Sequence, residues 1–217
     1  SDPRFSADWR VSGVPHHSPA SESMMGGLFL RTDGEYHMKV RRLLLREFTV
    51  KYAEGLRPQL EAVIHEQIDS MLERGPPAEL VEELALVLPT RAICLILGVP
   101  YEDREIFQNT VNVIVRYGAD PQDQRNALAA LDDYMRRLTA AKAEAPETDD
   151  LMSRLMHGPV ANGELSAEEA ARACSVLVLA GHETTANQIA LSILSFLVAP
   201  EARPALLAEN GMRPAVE

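Results

Sequence analysis

Ala180-Gly-His-Glu-Thr-Thr185 interrupts one of the most apolar stretches of the chain, Ala173 to Val198. The run reads as a buried helix, and polar groups inside it demand partners. A buried hydroxyl or carboxyl without one costs roughly 1–3 kcal/mol. The cluster is therefore expected to face water, a ligand or a cofactor. Ala180 and Gly181 remove side-chain bulk from one turn, so a flat group or another backbone can approach to contact there. Thr184 follows Ala180 by four residues, which lets its hydroxyl compete for the Ala180 carbonyl, loosen the helix and leave room for a water. Glu183 adds a titratable group. Acid, hydroxyl and loosened backbone together make a proton relay into a cavity. Spacing alone fits equally a close helix crossing whose polar residues form a solvent-facing stripe. A zinc peptidase, which His182-Glu183 suggests as the start of His-Glu-x-x-His, fails at Ala186, where the second ligand is missing.

The surroundings of this helix set the class of protein. The chain has 217 residues, 46% of them hydrophobic, which is the composition of a folded globular protein. With 32 acidic against 21 basic residues the formal net charge is -11, which argues against nucleic acid or an anionic membrane as a partner. The Ala173–Val198 run is long enough to span a bilayer, but His182, Glu183, Asn187 and Gln188 near its middle are costly in lipid, so a buried soluble helix is expected. Cys94 and Cys174 lie in apolar segments without paired spacing and read as buried small hydrophobes in a reducing compartment, with no disulfide framework. The opening Ser1-Asp-Pro-Arg-Phe-Ser6 shows no secretory pattern, and a cytoplasmic protein is expected.

Residues 1–32 carry Pro, Ser and Gly without sustained periodicity and read as loops with short helical turns. From 33 to 217 a helical bundle is predicted, the whole being one incomplete domain, mainly α with little or no sheet. The predicted helices are Gly34–Glu47, Arg57–Glu73, Ala78–Leu97, Tyr101–Tyr117, Pro121–Ala143, Asp149–His157, Ser166–Val198 and Glu201–Glu209. Gly98-Val-Pro100 ends one helix, and Asp120-Pro121 supplies a cap and a first-turn proline for another. Ser166-Ala-Glu-Glu169 fits a capping box at the start of the long helix.

A second constellation is the basic run Glu35-Tyr-His37-Met-Lys39-Val-Arg41-Arg42-Leu-Leu-Leu-Arg46. His37 and Arg41 are four apart and share a helix face, where two donors suit a carboxylate. Arg42 and Arg46 share another face. An ordinary solvated basic helix explains the run as well.

In order and separation these segments resemble the soluble bacterial cytochromes P-450, the haem-thiolate monooxygenases. The stretch from His37 to Thr49 is similar to the family's helix C, whose His-x-x-x-Arg pair binds a haem propionate. Ala180-Gly-His-Glu-Thr-Thr185 matches the oxygen-binding motif of helix I. Leu84 to Glu105 looks like the helix E region and the turn after it, and Asp149-Asp-Leu-Met-Ser-Arg154 looks like helix H. The family also has a Phe-x-x-Gly-x-x-x-Cys-x-Gly loop carrying the axial cysteine and a Glu-x-x-Arg pair on helix K, and neither follows helix I here. The chain is therefore expected to be the middle of a longer enzyme, with its axial cysteine elsewhere.

The resemblance implies haem b as cofactor and hydroxylation or epoxidation of an apolar small molecule with dioxygen. Thr184 and Glu183 become the catalytic residues, handling bound oxygen and protons, while Ala180 and Gly181 lie against the haem and His37 and Arg41 pair with a propionate. Lys39, Arg42 and Arg46 become a docking patch for an acidic ferredoxin, and the intact protein is expected to be a monomer. The segment from Arg10 to Leu30, the turn near Tyr117–Pro121 and Leu177 are expected to border the substrate. The competing expectation is a non-catalytic helical module or inactive fragment, since the thiolate segment is absent.

Overall fold

The computed structural model describes residues 4–8, 29–116, 118–202 and 204. Among these residues the secondary structure is helical, with no strand. A short 3-10 turn, Phe29–Arg31, leads into helix α1 (Gly34–Leu44), which buries Val40 and Leu44 on one face and leaves Arg41 and Arg42 exposed. A second 3-10 turn, Leu45–Phe48, separates it from α2 (Val50–Arg74). The Thr49 hydroxyl accepts the Tyr52 amide at 3.3 Å and so caps α2, satisfying one of the donors a helix start leaves free.

Helix α3 (Val87–Leu97) follows a π-helical turn, Val81–Ala85, and buries Ile93, Cys94 and Leu97. It ends at Gly98, whose left-handed backbone (φ 79°, ψ 29°) brings its N–H onto the Cys94 carbonyl at 2.8 Å. Helix α4 (Arg104–Val115) starts from a 3-10 turn, Tyr101–Asp103. Helix α5 (Pro121–Glu144) is capped by Asp120, which accepts the Gln122 amide at 2.6 Å, and buries Leu131, Tyr134, Met135 and Thr139 at helical spacing.

Helix α6 (Leu151–Leu155) is capped by Asp150 and runs into a π-helical turn, Met156–Val160. Helix α7 (Ala167–Gly181) opens with the expected capping box: Ser166 Oγ accepts the Glu169 amide at 3.1 Å, and Glu169 accepts the Ser166 amide at 2.8 Å. Helix α8 (Glu183–Val198) follows after a single residue.

The core lies where α5 packs against both α4 and α7, and α3 against α7. Phe107, Leu131, Met135, Leu151, Leu155, Cys174 and Val178 are all fully buried in it. Alanines 170, 171 and 173 on α7 keep that helix slim enough for two neighbours. Two ion pairs fasten the periphery. Arg154 clasps Glu47 with bonds of 2.7 Å to each carboxylate oxygen, and Lys142 meets Asp150 at 2.6 Å.

The expected helices differ from these in informative places. The predicted Ser166–Val198 helix is two helices, parted at His182. The Arg57–Glu73 helix starts seven residues earlier, at Val50, because the Thr49 cap outweighs Gly55 and Pro58. Pro58 forgoes only one backbone bond there. The predicted Ala78–Leu97 and Asp149–His157 helices each include a π-helical turn. Gly34–Glu47 and Tyr101–Tyr117 are each part 3-10 helix, and Tyr117 is outside the described residues. Glu201–Glu209 lies almost wholly outside them, the turn Pro200–Ala202 being its described start. Most of the predicted loop 1–32 is outside them as well, including residues 10–28 of the expected substrate border.

Candidate functional site

The break between α7 and α8 coincides with the polar cluster. Helix α7 ends at Gly181, and His182, with ψ at -69°, stands between the two helices. Its N–H reaches the Val178 carbonyl at a long 3.3 Å, and its carbonyl accepts the Ala186 amide at 3.1 Å. The Thr184 hydroxyl donates to the Ala180 carbonyl at 2.5 Å. This is the side-chain competition expected of a threonine four residues on, and it falls where the helix is interrupted. Ala180 and Thr184 are exposed, while Gly181 and Glu183 are half-buried.

Glu183 lies at the edge of the break. One of its oxygens accepts from Asn187 Nδ2 at 3.4 Å, and the other lies 4.0 Å from His182 Nδ1. Gly181 lies beside α3. A methyl group in its place would meet Ile93 Cδ1 at 3.5 Å, an ordinary contact, so its open side faces α3. Ala180, whose side chain is a single methyl group, is exposed.

His182 was no part of the expected site. It is buried, its ring edge rests against Phe107 at 6.1 Å, and neither ring nitrogen has a hydrogen-bond partner. The signal for it was present in the sequence as an imidazole in the middle of an apolar helix.

On α1, His37 Nδ1 lies 3.0 Å from the Phe29 carbonyl oxygen. A carbonyl only accepts, so Nδ1 carries the proton. A second donation, from Nε2 to an anion, then requires the charged imidazolium. Arg41 is exposed and borders an open hollow of about 780 Å³ with Glu35, Tyr36, Lys39 and Arg42. Arg46 is partly neutralised by Asp149 at 2.7 Å.

The two groups of expected site residues do not touch: among the described residues no hydrogen bond, ion pair or ring contact joins His37 or Arg41 to the break. The link between α1 and α7 is at the far end of α7, where Tyr36 lies beside Glu169. The Ser166 amide first, then its hydroxyl and the neighbouring Tyr36 hydroxyl, hold the Glu169 carboxyl below its ordinary range, against the effect of burial.

Comparison with known proteins decides the family. No family model matches the chain. Its sequence is 40% identical over 213 residues to cytochrome P450-SU2 of Streptomyces griseolus, covering 97% of this chain and 52% of that relative. Its fold matches the crystal structure of SgvP, a putative thioether synthase, with a TM-score of 0.89 and 35% identity, over 99% of this chain and 54% of the other. The chain belongs to the cytochrome P450 family. It also matches the P450 MycCI, a mycinamicin VIII C21 methyl hydroxylase from Micromonospora griseorubida, solved with mycinamicin VIII bound. That TM-score is 0.85 at 34% identity, over 94% of this chain and 52% of the other. The chain thus spans about half the length of the P450 relatives it matches.

The P450 family implies a haem, and the residues present fit one side of it. Arg41 offers an exposed guanidinium without an ion-pair partner among the described residues, suited to a carboxylate, and Ala180 offers an exposed small surface beside the Thr184 hydroxyl. An axial thiolate is not among them. Cys94 and Cys174, the chain's two cysteines, are buried, and burial pushes both thiols up to about 12. Among the described residues no three His, Cys, Asp or Glu side chains gather as a metal site, and no helix is long and apolar enough to cross a membrane.

Proposed function

We propose that these residues act within a longer haem-thiolate monooxygenase, as the part that binds haem b from the propionate side and manages oxygen-linked protons. The observation that carries this reading is the Thr184 hydroxyl on the Ala180 carbonyl at the α7–α8 break. Haem, once bound with a cysteine thiolate, supplies the activation of dioxygen.

The chain's own residues do the rest. Arg41 pairs with a propionate carboxylate, and His37, when charged, adds a second donor while Nδ1 stays on Phe29. Ala180 and Gly181 leave the inner turn slim. The Thr184 hydroxyl spends its proton on Ala180 and keeps its lone pairs to accept from a water. Glu183, at the edge of the break, takes up protons from outside and returns them to that water.

Hydroxylation or epoxidation of an apolar small molecule fits the family, of which MycCI is a methyl hydroxylase solved with mycinamicin VIII bound. Electrons come from a ferredoxin-type donor docking at Lys39, Arg42 and Arg46. Of these Arg42 carries the freest charge, since Arg46 is shared with Asp149. The intact enzyme is a monomer.

For the 217-residue chain alone we infer the second reading, a helical module without oxidase chemistry. Its buried thiols favour this, as does the exposed apolar stripe of Leu191, Leu194, Leu197 and Val198 on α8.

Spectroscopy tests both. The intact protein, loaded with haem and reduced under carbon monoxide, is expected to give a thiolate-type Soret band. The 217-residue chain, treated alike, is expected to give none. No such band from the intact protein sinks the monooxygenase reading, and one from the 217-residue chain alone sinks the assignment of the thiolate elsewhere.

A further inference from the structure

His182 is a costly choice for its position. Its side chain is 1% exposed, and neither ring nitrogen has a partner. Such a group weakens a fold relative to a hydrocarbon of the same shape, and an unsatisfied buried polar atom calls for a cause beyond packing. The ring is also held from outside its own helices: fully buried Phe107 on α4 meets it edge to face, at 84°. Its rotation is thereby restricted, and Nδ1 is left facing Glu183 Oε2 at 4.0 Å. That distance is beyond a hydrogen bond but within reach of one side-chain adjustment. Glu183 is 26% exposed, so a buried imidazole and a half-open carboxylate stand in series from the core outward.

We propose that His182 is a positioning residue for Glu183, an imidazole locked in the helix break by Phe107 that holds the Glu183 carboxylate at the mouth of the break. This rests on the reading of Glu183 as the proton-handling acid. The alternative attachment of Glu183, to Asn187 at 3.4 Å, is weak and lies on the outer side. Among the described residues, His182 is the group that faces the carboxylate from the inner side.

The charges around the pair make the arrangement selective. Burial holds the imidazole below its ordinary 6.5, and the Glu183 carboxylate opposes that shift. Other ionisable groups sit on the elements packed around the break: Glu82 and Glu83 on the Val81–Ala85 turn, Arg91 and Cys94 on α3, Arg104 and Glu105 on α4. Glu183 is nevertheless the one charge that acts on His182 among the described residues. The imidazole is consequently held toward its neutral form, in which one ring nitrogen can still donate a hydrogen bond to the Glu183 carboxylate.

Ring-nitrogen NMR of 15N-histidine-labelled protein tests the coupling. The intact protein is used, with any bound haem held in the diamagnetic ferrous carbon monoxide form, and the His182 signals are assigned by their loss in His182→Asn. In the parent protein His182 is expected to titrate below the ordinary imidazole range. Glu183→Gln is expected to lower that titration further, because it deletes the opposing charge. Titration in the ordinary range, or indifference to Glu183→Gln, overturns the proposal while leaving the haem reading intact. A second readout separates positioning from packing. His182→Leu is expected to keep or raise the melting temperature, yet to raise hydrogen peroxide released per electron consumed several-fold, with His182→Asn restoring part of the coupling. Peroxide release that follows the loss of melting temperature across the two variants also overturns it.

Discussion

Arg154 holds Glu47 with two parallel hydrogen bonds of 2.7 Å and reaches the Leu43 carbonyl with a third, also 2.7 Å. The residues are 107 positions apart, and this contact ties the end of the α1 segment to α6. Both groups are well shielded, with side chains 18% and 2% exposed, so neither can be satisfied by water if its partner is lost.

Removal of one partner is therefore expected to be severe. Arg154→Met strands the Glu47 carboxylate and is expected to cost about 3–5 kcal/mol, whereas Arg154→Met with Glu47→Leu is expected to cost less than the single change. Chemical denaturation of the three variants checks the ordering. A double variant as weak as the single one contradicts it.

Gly98 allows no side chain for two reasons at once. Its backbone is left-handed, and a methyl group there would lie 2.2 Å from the Asp150 carboxyl carbon. Asp150 cannot retreat, since Lys142, the Thr148 hydroxyl and the Ser153 amide all hold it. Gly98→Ala is expected to destabilise the protein by roughly 2–5 kcal/mol, combining backbone strain with overpacking. Thermal melting measures it.

Acid should loosen the start of α7. The Glu169 carboxyl is held below its ordinary 4.5, above all by the Ser166 amide. Its contribution is complete above the ordinary value and is lost as pH falls through the lower, folded value. Glu169→Gln is expected to flatten the acid limb of a stability–pH curve, and Ser166→Ala is expected to cost about 1 kcal/mol at neutral pH. Equal acid limbs for parent and Glu169→Gln contradict the assignment.

Ionic strength tests the electron-donor patch. Electron transfer from a ferredoxin to the intact enzyme is expected to slow at high salt, and charge reversal of Arg42 and Arg46 is expected to abolish that dependence. Stopped-flow reduction at two salt concentrations reads it out. An unchanged salt dependence removes the patch from the account.

Much of this was legible because local chemistry states itself in short spacing. Ser166 and Glu169, Asp120 and Pro121, and Gly98 before Pro100 each mark a helix end within four residues, and all three hold in the structure. The break at His182 was harder to read. Thr184 signalled a loosened helix, but histidine is an ordinary helix residue, and only packing against Phe107, 75 positions earlier, shows the ring pinned in place. The start of α2 differs from the expected one because Gly55 and Pro58 are strong local stop signals, and the Thr49 cap that outweighs them lies several residues before them. The Arg154–Glu47 pair has no local signature at all. Its partners meet only after the intervening helices have folded.

The Thr184 hydroxyl, in the proposed function, manages protons at the break in the helix. The most direct test of that role is the fate of electrons in the intact enzyme, supplied by a ferredoxin and its reductase, with Thr184→Ala compared to the parent. The hydroxyl is exposed, so its loss is expected to leave folding and haem content nearly unchanged. The predicted result is a shift of the consumed electrons from oxidised product to hydrogen peroxide. An unchanged partition between product and peroxide in Thr184→Ala contradicts the account.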